Sequence, residues 1–114
     1  MTTLAFLIEG AGLSRALSPV FAHARWLVRL DTESGREVWM DNRHRDAAAT
    51  AGAVIRLDAE RLVCTWIEPG PLRLLRARGI DVRLAPPTLS ALAALDSAEQ
   101  LPAAWEWMAD SRLG

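Results

Sequence analysis

Arg61-Leu62-Val63-Cys64-Thr65-Trp66-Ile67, then Pro69-Gly70-Pro71, then Leu72 to Gly79, then Ile80-Asp81-Val82-Arg83-Leu84 reads as strand, break, helix and strand. The first run has the length and β-branched content of a buried strand, and the proline-glycine cluster after it predicts a loop. Leu72, Leu74, Leu75 and Ala77 give the helical segment an apolar side, and Gly79 is placed to stop it. The second run alternates as a half-exposed strand. A helix joining two strands by a right-handed crossover sets them parallel in one sheet, and Pro86-Pro87 ends the second.

On the amino-terminal side, Leu4 to Ile8 is a continuous apolar run closed by Glu9-Gly10-Ala11-Gly12, a buried strand entering a turn. Ser14 or Ser18 can cap a short helical turn through Pro19 to Ala22. Arg25–Asp31 and Arg36–Asp41 flank Thr32-Glu33-Ser34-Gly35, which predicts an antiparallel hairpin with glycine in a positive-φ position. Asp46 is placed to cap an alanine-rich helix through Asp58, weakened by Gly52. On the carboxyl side, Thr88 or Ser90 caps a helix through Leu95, and Pro102 precedes a last helix with Trp105, Trp107 and Met108.

These elements predict an α/β fold, a mixed sheet of about five strands flanked by helices in a single domain over residues 1–114. Such sheets bind ligands beyond the carboxyl ends of strands where strand order reverses. The site is therefore expected among Glu9 to Phe21, Thr65 to Leu72 and Ala85 to Thr88.

Composition narrows the chemistry. Hydrophobic residues make up 51% and charged residues 24% of the chain, a globular balance rather than a disordered one. The formal charge is −1, so no general attraction to nucleic acid or to acidic membranes is expected. All 13 basic residues are arginine, and without lysine there is no Schiff base and no Walker lysine. Gly10-Ala11-Gly12 lacks the third glycine of a dinucleotide loop, and no serine-nucleophile elbow occurs. The lone Cys64 can form no internal disulfide, which fits a reducing cytoplasm, and Glu9 interrupts the opening apolar run too early for a signal peptide or spanning helix.

Read together, Leu17-Ser18-Pro19-Val20-Phe21-Ala22-His23-Ala24-Arg25-Trp26, the hairpin ending in Asp41-Asn42, and Thr65-Trp66-Ile67-Glu68-Pro69-Gly70-Pro71-Leu72 with Gly79-Ile80-Asp81-Val82 resemble the dinitrogenase iron-molybdenum cofactor biosynthesis family. The resemblance covers about residues 4–95, with residues 96–114 an extra helical segment. It implies a ribonuclease H-like motif fold and a non-enzymatic carrier or accessory for an iron-molybdenum or related metal-sulfur cluster. It also implies a partner protein that donates or accepts the cluster.

Carried over residue by residue, Ser18 and Phe21 match the family's first-loop pattern, while Val20 stands where a cluster-associated histidine is usual. Valine has no donor atom for a metal, and His23, three residues on, is the candidate replacement. In the second loop Thr65, Trp66 and Glu68 stand where the family commonly has glycines that let backbone amides reach an anion. Either the ligand differs from the usual cluster or the scaffold is kept without the site.

The expected cofactor-binding set is thus Ser18, Phe21, His23, Arg25, Trp66 and Glu68. Three further groupings are weaker candidates: His23, His44 and Cys64 as metal donors, Arg43-His44-Arg45 as a basic patch, and Glu9 with Glu68 as paired strand-end carboxylates. The alternative reading is a cluster-free interaction module in which Trp66, Trp105 and Trp107 pack a partner or a second copy as a homodimer.

Overall fold

The computed structural model describes residues 3–9, 17, 21, 24–42, 46–86, 90, 91, 93, 94 and 100–104 of the 114-residue chain. The five strands are β1 (Thr3–Ile8), β2 (Trp26–Asp31), β3 (Glu37–Asp41), β4 (Arg61–Cys64) and β5 (Asp81–Leu84). Two helices, α1 (Ala47–Leu57) and α2 (Pro69–Ala77), connect β3 to β4 and β4 to β5. The sheet order is β3-β2-β1-β4-β5. The hairpin is antiparallel throughout, with Phe6 opposite Val28 and Val28 opposite Trp39. The other half is parallel, pairing Ala5 with Leu62 and Leu62 with Val82. The expected mixed sheet of five strands is the one observed.

β1 lies centrally because both of its faces are apolar, and every one of its residues is buried. Ala5 and Leu7 join one core with Leu27, Leu62, Val54, Leu57, Leu72 and Leu75, so both helices cover that face. Leu4, Phe6 and Ile8 join a second core with Leu17, Val28, Val63, Ala91 and Ala94. A one-residue register slip would exchange the two sets, so burial on both sides fixes the pairing.

Local chemistry sets the ends of the elements. Gly35 turns the hairpin at φ +72, with Gly35 N donating to Asp31 O and Glu33 N donating to Asp31 Oδ1. Asp46 Oδ1 accepts from Ala49 N at 2.7 Å and opens α1. α1 closes on Asp58, which takes the left-handed conformation at φ 55. Gly79 stops α2 at φ +79, and Ser90 Oγ accepts from Ala93 N at the start of the segment that covers the second core.

Two boundaries differ from the sequence reading. β4 ends at Cys64 rather than Ile67, and Pro69-Gly70-Pro71 forms the first turn of α2 rather than a loop. Proline lacks the N–H that a first-turn residue would leave unbonded, and its fixed φ is already helical, so here it starts the helix. Cys64 is consequently the last residue of its strand rather than a mid-strand position. The expected turn at Pro19 to Ala22 and the helix around Trp105 and Trp107 lie largely outside the described residues.

Candidate functional site

β1, β4 and β5 run in the same direction, so Ile8, Cys64 and Leu84 end at one rim of the sheet. From β1 the chain steps one way to β2 and β3, then returns by α1 to β4 on the other side of β1. Strand order reverses between β1 and β4, and the rim at that reversal, the mouth, is where open α/β sheets hold ligands. β3 runs antiparallel to β2, so α1 also begins at this rim, as does α2.

On the β1 side, Ile8 forms an antiparallel bridge to Leu17, which folds the first segment back along the strand end. Phe21 is fully buried in the helix-covered core. Arg25 is exposed, with its guanidinium carbon 5.9 Å from the centroid of the Trp26 ring. Trp26 in turn meets Trp39 edge-on, with ring centroids 6.1 Å apart. Ser18, His23 and the Arg43-His44-Arg45 patch lie outside the described residues.

Sequence reasoning missed the residue that fastens this side. Asn42 is buried just past β3; its Nδ2 donates to Ala24 O at 2.8 Å and to Thr50 Oγ1 at 3.1 Å, and its backbone N donates to Arg25 O at 3.0 Å. One side chain thereby joins the end of the first segment to the second turn of α1. A buried amide directly after a strand, eight residues before a threonine on a helix, is the only trace it leaves in the sequence.

The β4 side is built differently. Cys64 is wholly enclosed, and desolvation pushes its thiol up to about 12, so in this fold it packs as a neutral side chain. Ala85 N donates to Cys64 O at 2.8 Å and ties the two parallel strand ends together. Ile67 turns into the core, while Trp66 is 41% exposed, so its indole is not wedged inward as a plug. Glu68 is half-buried at the N-cap of α2; its carbonyl accepts from Leu72 N, but its carboxylate makes no capping bond. The Glu68 Oε2 atom is buried and has no hydrogen-bond partner. Glu9, at the end of β1, is exposed and already engaged in a polar interaction.

Among the described residues no group of three or more histidine, cysteine, aspartate or glutamate side chains could hold a metal ion. Near that rim the described residues include the exposed Arg25, the exposed Trp66 and the carboxylates of Glu9 and Glu68, while His23 and His44 lie outside the described residues. Nor is any helix among the described residues long and apolar enough to cross a membrane.

A mixed sheet ordered β3-β2-β1-β4-β5, with its topological switch point between β1 and β4 and helices packed on it, defines an α/β fold class. A model of the dinitrogenase iron-molybdenum cofactor family matches residues 3–100, and the chain belongs to that family. Its fold is similar to the apo form of the orange protein from Desulfovibrio gigas, at 25% identity and a TM-score of 0.83, covering 91% of this chain and 93% of that one. It is also similar to a putative NifB protein from Thermotoga, at 23% identity and a TM-score of 0.73, covering 88% and 89% of the two chains. None of the curated proteins matches it by sequence.

Proposed function

We propose that this protein is a non-enzymatic carrier or assembly accessory for an anionic metal-sulfur cluster of the iron-molybdenum type, acting in nitrogenase cofactor biosynthesis. The observation that carries the reading is the family match, which runs through both segments bordering the mouth. In this reading the cluster is cargo, received from a donor protein and passed to an acceptor. Arg25 supplies positive charge, Ser18 and His23 from the same stretch of sequence supply polar groups, and Trp66 contributes an aromatic face from the loop after β4. Phe21 contributes as a buried anchor in the helix-covered core.

Mixing the apo protein with an iron-molybdenum-sulfur cluster and passing it through gel filtration tests this. The visible absorbance is expected to travel with the protein, and Arg25→Ala and His23→Ala are expected to lower the bound fraction. Cluster eluting wholly apart from wild-type protein overturns the reading. The exposed Trp66 and the valine at the usual histidine position favour a second reading, a cluster-free interaction module. Light scattering across a concentration series separates the two: the module reading expects a dimer or larger species that Trp66→Ser dissociates.

A further inference from the structure

We infer that the outer edge of β3 takes one further strand from a partner protein, an extended segment with arginine or lysine at alternate positions and an apolar residue between them. Such docking is separate from the carrier reading and stands whether or not a cluster is bound. β3 is the last strand on its side of the sheet, and among the described residues no strand or bridge pairs with its outer edge. The ladder to β2 decides which backbone groups face outward. Asp31 N donates to Arg36 O and Asn42 N donates to Arg25 O, so the bonded pairs with β2 fall on residues 36, 38, 40 and 42. The N–H and C=O groups of Glu37, Trp39 and Asp41 therefore point away from β2, and the side chains of the same three residues share one face. β3 has no proline and no break in its register, the devices that commonly blunt an edge.

Charge chooses the occupant. From Asp31 to Asp41 the hairpin carries the carboxylates of Asp31, Glu33, Glu37 and Asp41 against the basic Arg36 alone. Glu37 is exposed on the outward row and is held along it by Trp39 Nε1, which donates to Glu37 Oε1 at 2.9 Å. A second copy fits poorly. Antiparallel pairing over the whole strand centres on Trp39 and sets Glu37 opposite Asp41 of the second copy at both ends, like charge against like. A shift that avoids this must preserve the alternation of bonded pairs, and so it shortens the shared run. Basic residues opposite Glu37 and Asp41 make the same two contacts favourable, and an apolar residue between them lies beside the half-buried Trp39 ring.

The probe is the capped peptide Thr-Arg-Thr-Val-Thr-Arg-Thr, titrated into the full isotope-labelled chain and followed by its amide resonances. The amides of Glu37, Trp39 and Asp41 are expected to shift and to gain protection from exchange, while those of Val38 and Met40, already bonded to β2, change little. The same peptide with glutamate in place of arginine should bind about tenfold more weakly. Glu37→Gln should weaken binding of the arginine peptide about threefold, the worth of one cross-strand charge pair. Glu37→Pro removes an outward N–H at the first residue of β3 without touching the ladder to β2, and should weaken it about tenfold. Should Glu37→Pro fail to fold, the alternation of the wild-type amide shifts and the contrast between the two peptides still decide. Equal binding of the two peptides, or no change at Glu37 and Trp39, overturns the inference. A free protein that dimerises and is made monomeric by Glu37→Pro puts a second copy on this edge and overturns it as well.

Discussion

The starts of α1 and α2 stand at the same rim of the sheet and are finished in opposite ways. α1 opens on Asp46, whose carboxylate accepts from Ala49 N, and its second turn is pinned by the Asn42 to Thr50 bond. α2 opens on Glu68, whose carboxylate caps nothing, with two prolines in its first turn. One start is satisfied within the fold, and the other is left incomplete beside the mouth. The contrast teaches that a helix end can be stabilised by removing donors with proline instead of by pairing them, which leaves a neighbouring side chain available for another task.

The largest expected effect concerns the floor beneath α2. Cys64 sits at about 12 in the fold against an ordinary value of 9.0, so its thiol stays neutral when folded and ionises more readily when unfolded. Its contribution is fully present below pH 9 and is lost as pH rises toward 12, by roughly 1.4 kcal/mol per pH unit and about 4 kcal/mol in all. The chain has no tyrosine, its basic residues are all arginine, and arginine stays charged, so no other side chain titrates in that window. Urea midpoints measured at pH 8, 10 and 11 should fall steeply for wild type and stay nearly level for Cys64→Ala. A shared slope would mean that Cys64 is not held away from water in the folded protein.

Next comes the pin on the α1 side. Asn42→Ala leaves the Ala24 carbonyl and the Thr50 hydroxyl buried without their donor, a loss of about 2–3 kcal/mol by chemical denaturation. The two caps can then be compared directly. Asp46→Ala should cost about 1 kcal/mol, whereas Glu68→Ala should cost nothing or raise the melting temperature slightly. Equal losses at the two positions would erase the distinction drawn between the helix starts. The smallest effect is a gain: a Cβ added at Gly52 would meet only Arg56 Nη1 at 3.5 Å, so Gly52→Ala should stabilise by about 0.5–1 kcal/mol. Its absence in thermal melts would indicate that α1 is held by packing so firmly that propensity no longer registers.

Much of this architecture was legible because local and global signals agreed. Asp31 to Gly35 contains both the turn acceptor and the positive-φ residue, and Asp46 precedes an alanine run with few competing conformations. The parallel pair followed from the strand-helix-strand order alone. Pro69-Gly70-Pro71 misled because the same residues that interrupt a helix interior are favourable at its start, and nothing local to the tripeptide distinguishes the two. The switch point between β1 and β4 was legible from the element order, but the side-chain wiring beside it was not foreseen. Asn42 reaches Ala24 across 18 residues, and the isolation of Glu68 Oε2 depends on neighbours brought in by tertiary packing, neither of which leaves a periodic mark in the sequence.

The outer side of β5 has a consequence for behaviour in solution. Leu84 N donates to Pro102 O, Arg83 Nη1 donates to Leu101 O, and Ala103 bridges to Arg83. Residues 101–103 thereby act as a selvedge on a margin whose bare amides would otherwise recruit strands from other molecules. A version of the chain cut before residue 100 would keep its mouth residues yet expose that margin, and should be prone to fibrous aggregation at concentrations the intact protein tolerates.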